Sequence, residues 1–250
     1  MKKIWPSIIG ALMLMMTILP MTSVKAASVT VNTEMELKNA LKDTSIDTIV
    51  LGSDIETTEK INILRPLTLD GNGKTMKYVG TFGATHSTDN TVWGGIYILQ
   101  VYKTTATIKN IKLTNGNAGL LINGSNVTIE GTIDVSGNGF GGIELGQGAD
   151  VTTIPTIQLM NEAKIVNTTE TNNRPTLWVP NDTKGATIII NGVSNTLQTG
   201  QELTLAEVYA MMPNENPKTG DPIFLYMGIG LLSLGLCIGS IRKLHKQNGN

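Results

Sequence analysis

Apolar and polar residues alternate with a period of two through the middle of the chain, in runs too short for helices. Thr107-Ile-Lys-Asn-Ile-Lys-Leu-Thr-Asn115 overlays on Thr128-Ile-Glu-Gly-Thr-Ile-Asp-Val-Ser-Gly137, and a third copy runs Thr153-Ile-Pro-Thr-Ile-Gln-Leu-Met-Asn161. Each copy reads as a β run, a corner, a second β run and a small polar turn. Gly95-Ile-Tyr-Ile98, Gly119-Leu-Leu-Ile122, Gly142-Ile-Glu-Leu145 and Thr176-Leu-Trp-Val179 fall before, between and after the copies. The period is roughly 20 to 25 residues, the length of one coil of a parallel β-solenoid. The pattern therefore predicts an all-β chain wound as a right-handed parallel β-helix. A leucine-rich repeat has a similar period, but its leucine and asparagine positions and its helical half-repeat are missing. An antiparallel sandwich accommodates the same runs.

Helical spacing occurs at two places, one on each side of the repeats. Thr33 with Glu36 and Thr204 with Glu207 have the spacing of capping boxes. Leu37, Ala40 and Leu41 follow the first on one face, and Val208, Met211 and Met212 follow the second. A solenoid exposes strand edges and core at both ends, so these segments are expected to cap it.

Residues 1–26 and the segment beyond residue 212 fit neither period. Lys2 and Lys3 precede an almost wholly apolar stretch from Ile4 to Pro20, and Val24 and Ala26 are small residues at the −3 and −1 positions of a cleavage site. This predicts a signal peptide over 1–26. At the other end, a linker over 213–221 contains Asn216-Pro217-Lys218-Thr219-Gly220. An uncharged span over 222–241 follows, and then Arg242, Lys243 and Lys246. The span is long enough to cross a bilayer as a helix, with the basic tail over 242–250 left in the cytoplasm. The domain between, over 27–212, is expected outside the cell.

Composition narrows the chemistry. The full chain has 19 Lys+Arg against 20 Asp+Glu. Setting aside Lys2, Lys3, Lys25, Arg242, Lys243, Lys246 and Asp221 leaves 13 against 19, a net charge of −6 for residues 27–219. An acidic exported part argues against nucleic acid and anionic membrane as partners. The single cysteine, Cys237, lies in the apolar span, so the exported part is expected to have neither disulfide nor thiolate chemistry.

No catalytic set is evident. Arg65 and Arg174 are the two arginines of the exported part, and its single histidine, His86, sits with Asp89 in a Gly/Thr/Ser-rich loop. The acidic residues are scattered, and no Asp-Asp or Asp-x-x-Asp cluster suggests calcium. No catalytic residue, metal or cofactor is assigned. Glu130 and Asp134 align with Lys109 and Lys112 of the neighbouring coil, as charge ladders on the solvent face.

Two resemblances carry the reading further. The order of Asn216-Pro217-Lys218-Thr219-Gly220, apolar span and basic tail resembles the sorting signal of sortase substrates in Gram-positive bacteria, with Asn216 where the commonest form has Leu. It implies sortase as a processing partner, cleavage between Thr219 and Gly220, and covalent attachment of Thr219 to peptidoglycan. The segment from Val29 to Tyr78 carries Asp47-Thr-Ile-Val-Leu51, Ile61-Asn-Ile63 and Arg65-Pro-Leu-Thr-Leu-Asp-Gly-Asn-Gly73. It resembles the opening of the pectate-lyase-like adhesive domain of Gram-positive surface proteins; with the repeats, the likeness runs over residues 29–195. It implies a right-handed β-helix used for adhesion, with no catalytic residue carried over. A polysaccharide lyase or glycoside hydrolase acting on acidic polysaccharide is the alternative the fold permits.

Register points to one surface. If Ile96, Leu120, Ile143 and Leu177 face inward on equivalent strands, then Ile98, Ile122, Leu145 and Val179 do too. Tyr97, Leu121, Glu144 and Trp178 are then expected to form one outward column, two aromatics flanking an acid. Aromatic faces stack on sugar rings and a carboxylate accepts hydroxyls, so the column is a candidate contact for a polysaccharide or a glycan of a host or neighbouring cell. Covered by loops, the same aromatics would be ordinary packing.

Overall fold

The β-branched runs form strands, and the strands are mostly parallel. A computed structural model describes residues 27–80, 96–148, 150–171 and 174–212. In chain order these hold β1 (Ala27–Val31), α1 (Glu34–Lys42), β2 (Ile46–Leu51), β3 (Ile55–Thr57), β4 (Ile61–Ile63), β5 (Leu67–Tyr78) and β6 (Tyr97–Tyr102). There follow β7 (Thr105–Thr114), β8 (Ala118–Asn123), β9 (Asn126–Asp134), β10 (Gly141–Gly146), β11 (Thr156–Leu159) and β12 (Lys164–Val166). Then come β13 (Leu177–Trp178), β14 (Ala186–Ile190), β15 (Val193–Leu197), β16 (Glu202–Leu203) and α2 (Leu205–Ala210).

A ten-stranded sheet runs β1-β2-β5-β7-β9-β11-β14-β15, with β3 joined to β5 and β12 to β9. A six-stranded sheet runs β16-β13-β10-β8-β6-β4. The larger sheet serves two faces, because β5, β7 and β9 each turn a corner partway along. The corners sit at Asn72 and Gly73, Asn110, and Gly131, all with positive φ. The parallel register shifts between Asp70 and Lys74 and between Lys109 and Ile111. Gly131, at φ 61°, has no room for a side chain: a Cβ would lie 2.1 Å from Asn110 Oδ1. The result is a β-helix-like coil with its core inside.

That core is built of in-register columns. Ile49, Leu69, Ile108, Ile129, Leu159 and Ile190 pair in succession along one face, and Ile61, Leu99, Leu120, Ile143, Leu177 and Leu203 along the six-stranded sheet. Every member is buried. Each such side chain contributes about 1.5–3 kcal/mol of burial, which stands in for the missing disulfides.

Both ends are closed. At the first, Thr33 Oγ1 accepts from Glu36 N, while the Glu36 carboxylate accepts from Asn32 N, one residue before the cap. Leu37 and Ala40 are buried beneath this helix. Arg65 holds the helix's other end, donating from Nε to Leu41 O and from Nη2 to Ala40 O and Asp43 O. Its guanidinium thus satisfies carbonyls that a helix C-terminus leaves unpaired. At the far end the pairing turns antiparallel, β14 with β15 and β13 with β16. α2 covers that end, with a complete Thr204–Glu207 capping box and Val208 buried.

The overlay of copies holds for two and slips for the third. Thr107 pairs with Thr128, but Thr128 pairs with Gln158 rather than Thr153. Pro155 lies just before β11, whose first residue is Thr156. Its ring supplies no N–H for a ladder, so the strand starts after it. Among the described residues no helix is long and apolar enough to cross a membrane. The expected signal peptide, the apolar span and Asn216 to Gly220 lie outside the described residues, as do His86 and Asp89.

Candidate functional site

The six-stranded sheet places the candidate residues, and its register corrects the expected column. Gln100, not Tyr97, pairs with Leu121; Leu121 pairs with Glu144, Glu144 with Trp178, and Trp178 with Glu202. Tyr97 pairs instead with Ala118, three positions earlier. The physical reason is a break in alternation. Ile98 and Leu99 both enter the main core, and Cβ atoms on Gly119 and Gly142 would meet the core residue Val135. Two consecutive inward positions recur in each coil, so counting in twos across them misassigns the first strand.

The four residues nevertheless come together, and they are buried. Tyr97, Leu121 and Trp178 pack with Ala118 and half-buried Phe140 in a cluster separate from the main core. Relative exposures are 6% for Tyr97, Leu121 and Glu144 and 3% for Trp178, so these four side chains form no open aromatic platform. Phe140 meets Trp178 edge to face, with ring centroids 4.7 Å apart at 65°. Gly141 makes room for the indole: a Cβ there would lie 2.9 Å from Trp178 Cζ3 and 2.6 Å from Pro175 O.

Glu144 is the electrostatic centre. Tyr97 Oη donates to Glu144 Oε2 at 2.6 Å. Burial pushes the carboxyl up to about 7, and the nearby Asp182 charge adds to that, while the Tyr97 hydrogen bond and the Lys60 ammonium pull the other way. The Tyr97 phenol is pushed up by burial and by Glu144. Lys60, pulled down by burial, donates to Gln100 Oε1 and stands 5.8 Å from the Tyr97 ring centroid.

This cluster opens onto a cleft of about 500 Å³. Phe140, Glu144 and Trp178 form one side, Val179, Pro180, Asn181 and Asp182 another, with Gly200 and Glu202 closing it. Asp182 and Glu202 are exposed. The sequence shows these acids as scattered, yet the fold brings three carboxylates to one cleft beside two aromatics. Asp182 arrives on the turn after β13, and Glu202 through the antiparallel pairing of β16, which a parallel repeat does not foretell. Among the described residues no group of His, Cys, Asp and Glu is arranged to hold a metal ion. Arg174 forms an isolated antiparallel bridge with Thr171, away from the cleft lining.

Residues 28–147 match the model of the family described as "Putative pectate lyase-like adhesive domain". The match covers the solenoid up to and including Glu144 and ends before Trp178, Asp182 and Glu202. No curated protein and no solved structure matches the chain.

Proposed function

We propose that this chain is a non-catalytic adhesion module that binds glycan in the Glu144–Trp178 cleft and is displayed on the wall of a Gram-positive cell. The observation that carries the binding reading is the cleft itself: edge-to-face aromatics beside three carboxylates, on a solenoid whose first coils match an adhesive-domain family. Apolar ring edges meet the C–H faces of a pyranose, and carboxylates accept its hydroxyls. Right-handed winding, the hand of nearly all parallel crossover connections, is part of this reading.

Display rests on Asn216-Pro217-Lys218-Thr219-Gly220 ahead of an apolar span and basic residues, and on the export signal over 1–26. Sortase would cleave after Thr219 and join it to peptidoglycan. With α2 ending at Ala210, a short linker separates the solenoid from that motif, so the cleft would sit close to the wall polymer.

The test is retention on a glycan array that includes wall polysaccharides. Wild-type protein should be retained, and Phe140→Ala should lose retention with unchanged circular dichroism. Absence of retention on every glycan, or equal retention by the variant, overturns the reading. Glu144 favours one competing reading, because a carboxyl raised toward neutrality beside an aromatic ring, with further carboxylates across a cleft, is also how glycosidases hold a general acid. Release of reducing ends or unsaturated uronates from a retained polysaccharide would establish a hydrolase or lyase instead.

A further inference from the structure

Lys60 is held differently from the lysines of the charge ladders. It lies just before β4, and the pairing of Asn62 with Gln100 sets it diagonally across from Gln100 on β6. Its ammonium donates to Gln100 Oε1 at 2.5 Å. Among the described residues no carboxylate lies within ion-pair distance of it, and Glu144 acts on it only from further off. A cation and a neutral amide are thus held together where an ion pair would be expected.

The two groups are also confined. Gln100 is buried and Lys60 half-buried. The Tyr97 ring, anchored by its hydrogen bond to Glu144, stands 5.8 Å from Lys60 Nζ and bounds one side of it. A carbonyl bond is about 1.23 Å long, so Gln100 Cδ lies no more than about 3.7 Å from Nζ. Reacting atoms poised for attack stand roughly 3–3.5 Å apart, a small adjustment of the amide away. Burial lowers the Lys60 value and so favours its neutral amine, which is the nucleophilic form. A covalent amide in place of the ammonium would leave no charge to desolvate.

We propose that Lys60 and Gln100 join through their side chains, Nζ to Cδ, in an intramolecular isopeptide bond that staples β4 to β6. Lys60 Nζ attacks Gln100 Cδ, the bond from Cδ to Nε2 breaks, and the amide nitrogen leaves as ammonia. Water at the half-buried Nζ carries the proton from the attacking nitrogen to the departing one. Nothing is oxidised or reduced, and no further reactant is consumed. Groups held in contact react as though highly concentrated, and ammonia is lost to solvent, so closure is favoured. The bond ties residues 40 positions apart. It does so at the end strand of the six-stranded sheet, which pairs with β6 over three positions. In a chain whose single cysteine is Cys237, it constrains the unfolded state as a disulfide would. The bond is independent of what the cleft binds.

The experiment is mass spectrometry of the full-length protein, first whole and denatured, then as a protease digest. The whole chain should be lighter than its sequence by the mass of one ammonia, in nearly all molecules. The digest should contain a branched pair of peptides in which Lys60 is joined to Gln100, with trypsin no longer cutting after Lys60. Lys60→Arg keeps the cation but lacks a nucleophilic amine, so its mass should equal that of its sequence. Separate Lys60 and Gln100 peptides in the wild type overturn the proposal, even where the whole chain is short of one ammonia. A deficit that persists in Lys60→Arg places the loss at another amide and overturns it as well. The joined peptide in the wild type decides, whether or not the variant folds.

Discussion

Two outward-facing rows of the same solenoid handle charge in opposite ways. On the corner face of β7 and β9, Lys112 pairs in register with Asp134 and meets it at 3.2 Å, with both side chains partly in water. On the six-stranded sheet, Glu144 stands between Leu121 and Trp178, 6% exposed, with a phenol as its hydrogen-bonding neighbour. In the first row opposite charges neutralise one another where solvent already screens them. In the second, a carboxylate is placed where ionisation is penalised. Backbone geometry is the same, so the difference lies in what the neighbouring coils supply. A row of paired charges is a stable exterior; the second row holds its acid with a phenol rather than an ion pair, beside a buried indole N–H that has no acceptor among the described residues.

The comparison depends on the shared core being intact, and breaking that core has the largest expected effect. Ile143 lies between Leu120 and Leu177 in the inner column of the six-stranded sheet, directly before Glu144. Ile143→Ala should cost about 2–5 kcal/mol, because the stacked strands on both sides limit collapse of the cavity. Urea unfolding followed by circular dichroism would show it as a lowered midpoint at unchanged slope. A loss below about 1 kcal/mol would mean that the columns do not carry the fold.

Next comes the charge of Glu144 itself. Its folded value of about 7 lies above the ordinary 4.5, so the folded state retains a proton that the unfolded chain has released. The corresponding stability is fully present below pH 4.5 and is lost as pH rises through about 7. The magnitude is on the order of 3 kcal/mol. Glu144→Gln keeps an acceptor for Tyr97 and should remove this decline, making the variant the more stable protein above neutrality. Asp134 behaves oppositely: its burial penalty is outweighed by hydrogen bonds from Ser136 and Lys112, which lower its value. Its stabilisation is therefore lost on acidification below the ordinary 3.8, outside the Glu144 window. Parallel pH slopes for wild type and Glu144→Gln between those limits would remove the contrast between the rows.

Much of this was legible before any coordinates. Period-two runs at a fixed spacing give the parallel coil, and the match of Thr107 to Thr128 gives its register where corner residues align. The helix caps were legible because Thr33 and Thr204 need no tertiary context to accept from the third residue on. The site was half legible. Alternation selected Leu121, Glu144 and Trp178 as outward, but not Tyr97's true register, because Ile98 and Leu99 turn inward together. Burial of the four was not legible, since it depends on packing with Phe140 and Ala118 from neighbouring coils. Nor was the cleft, because Asp182 and Glu202 reach it from a turn and an antiparallel end strand, for which the repeat has no counterpart.

The smallest expected effect sharpens the comparison from its other side. Lys112 and Asp134 face each other across a parallel pair, and their side chains remain 42% and 25% exposed. A double-mutant cycle with Lys112→Ala and Asp134→Ala should give a coupling of about 0.2–1 kcal/mol. That coupling should shrink as salt is raised, since solvent ions reach both groups. The Asp134 single variant should cost more than the coupling alone, because Asp134 Oδ1 also accepts from Ser136 N at 2.9 Å and fixes the turn after β9. A salt-insensitive coupling of several kcal/mol would mean that this row is as dry as the one around Glu144. The buried acid would then no longer distinguish the two surfaces, and the cleft would lose its claim to be the one built for a ligand.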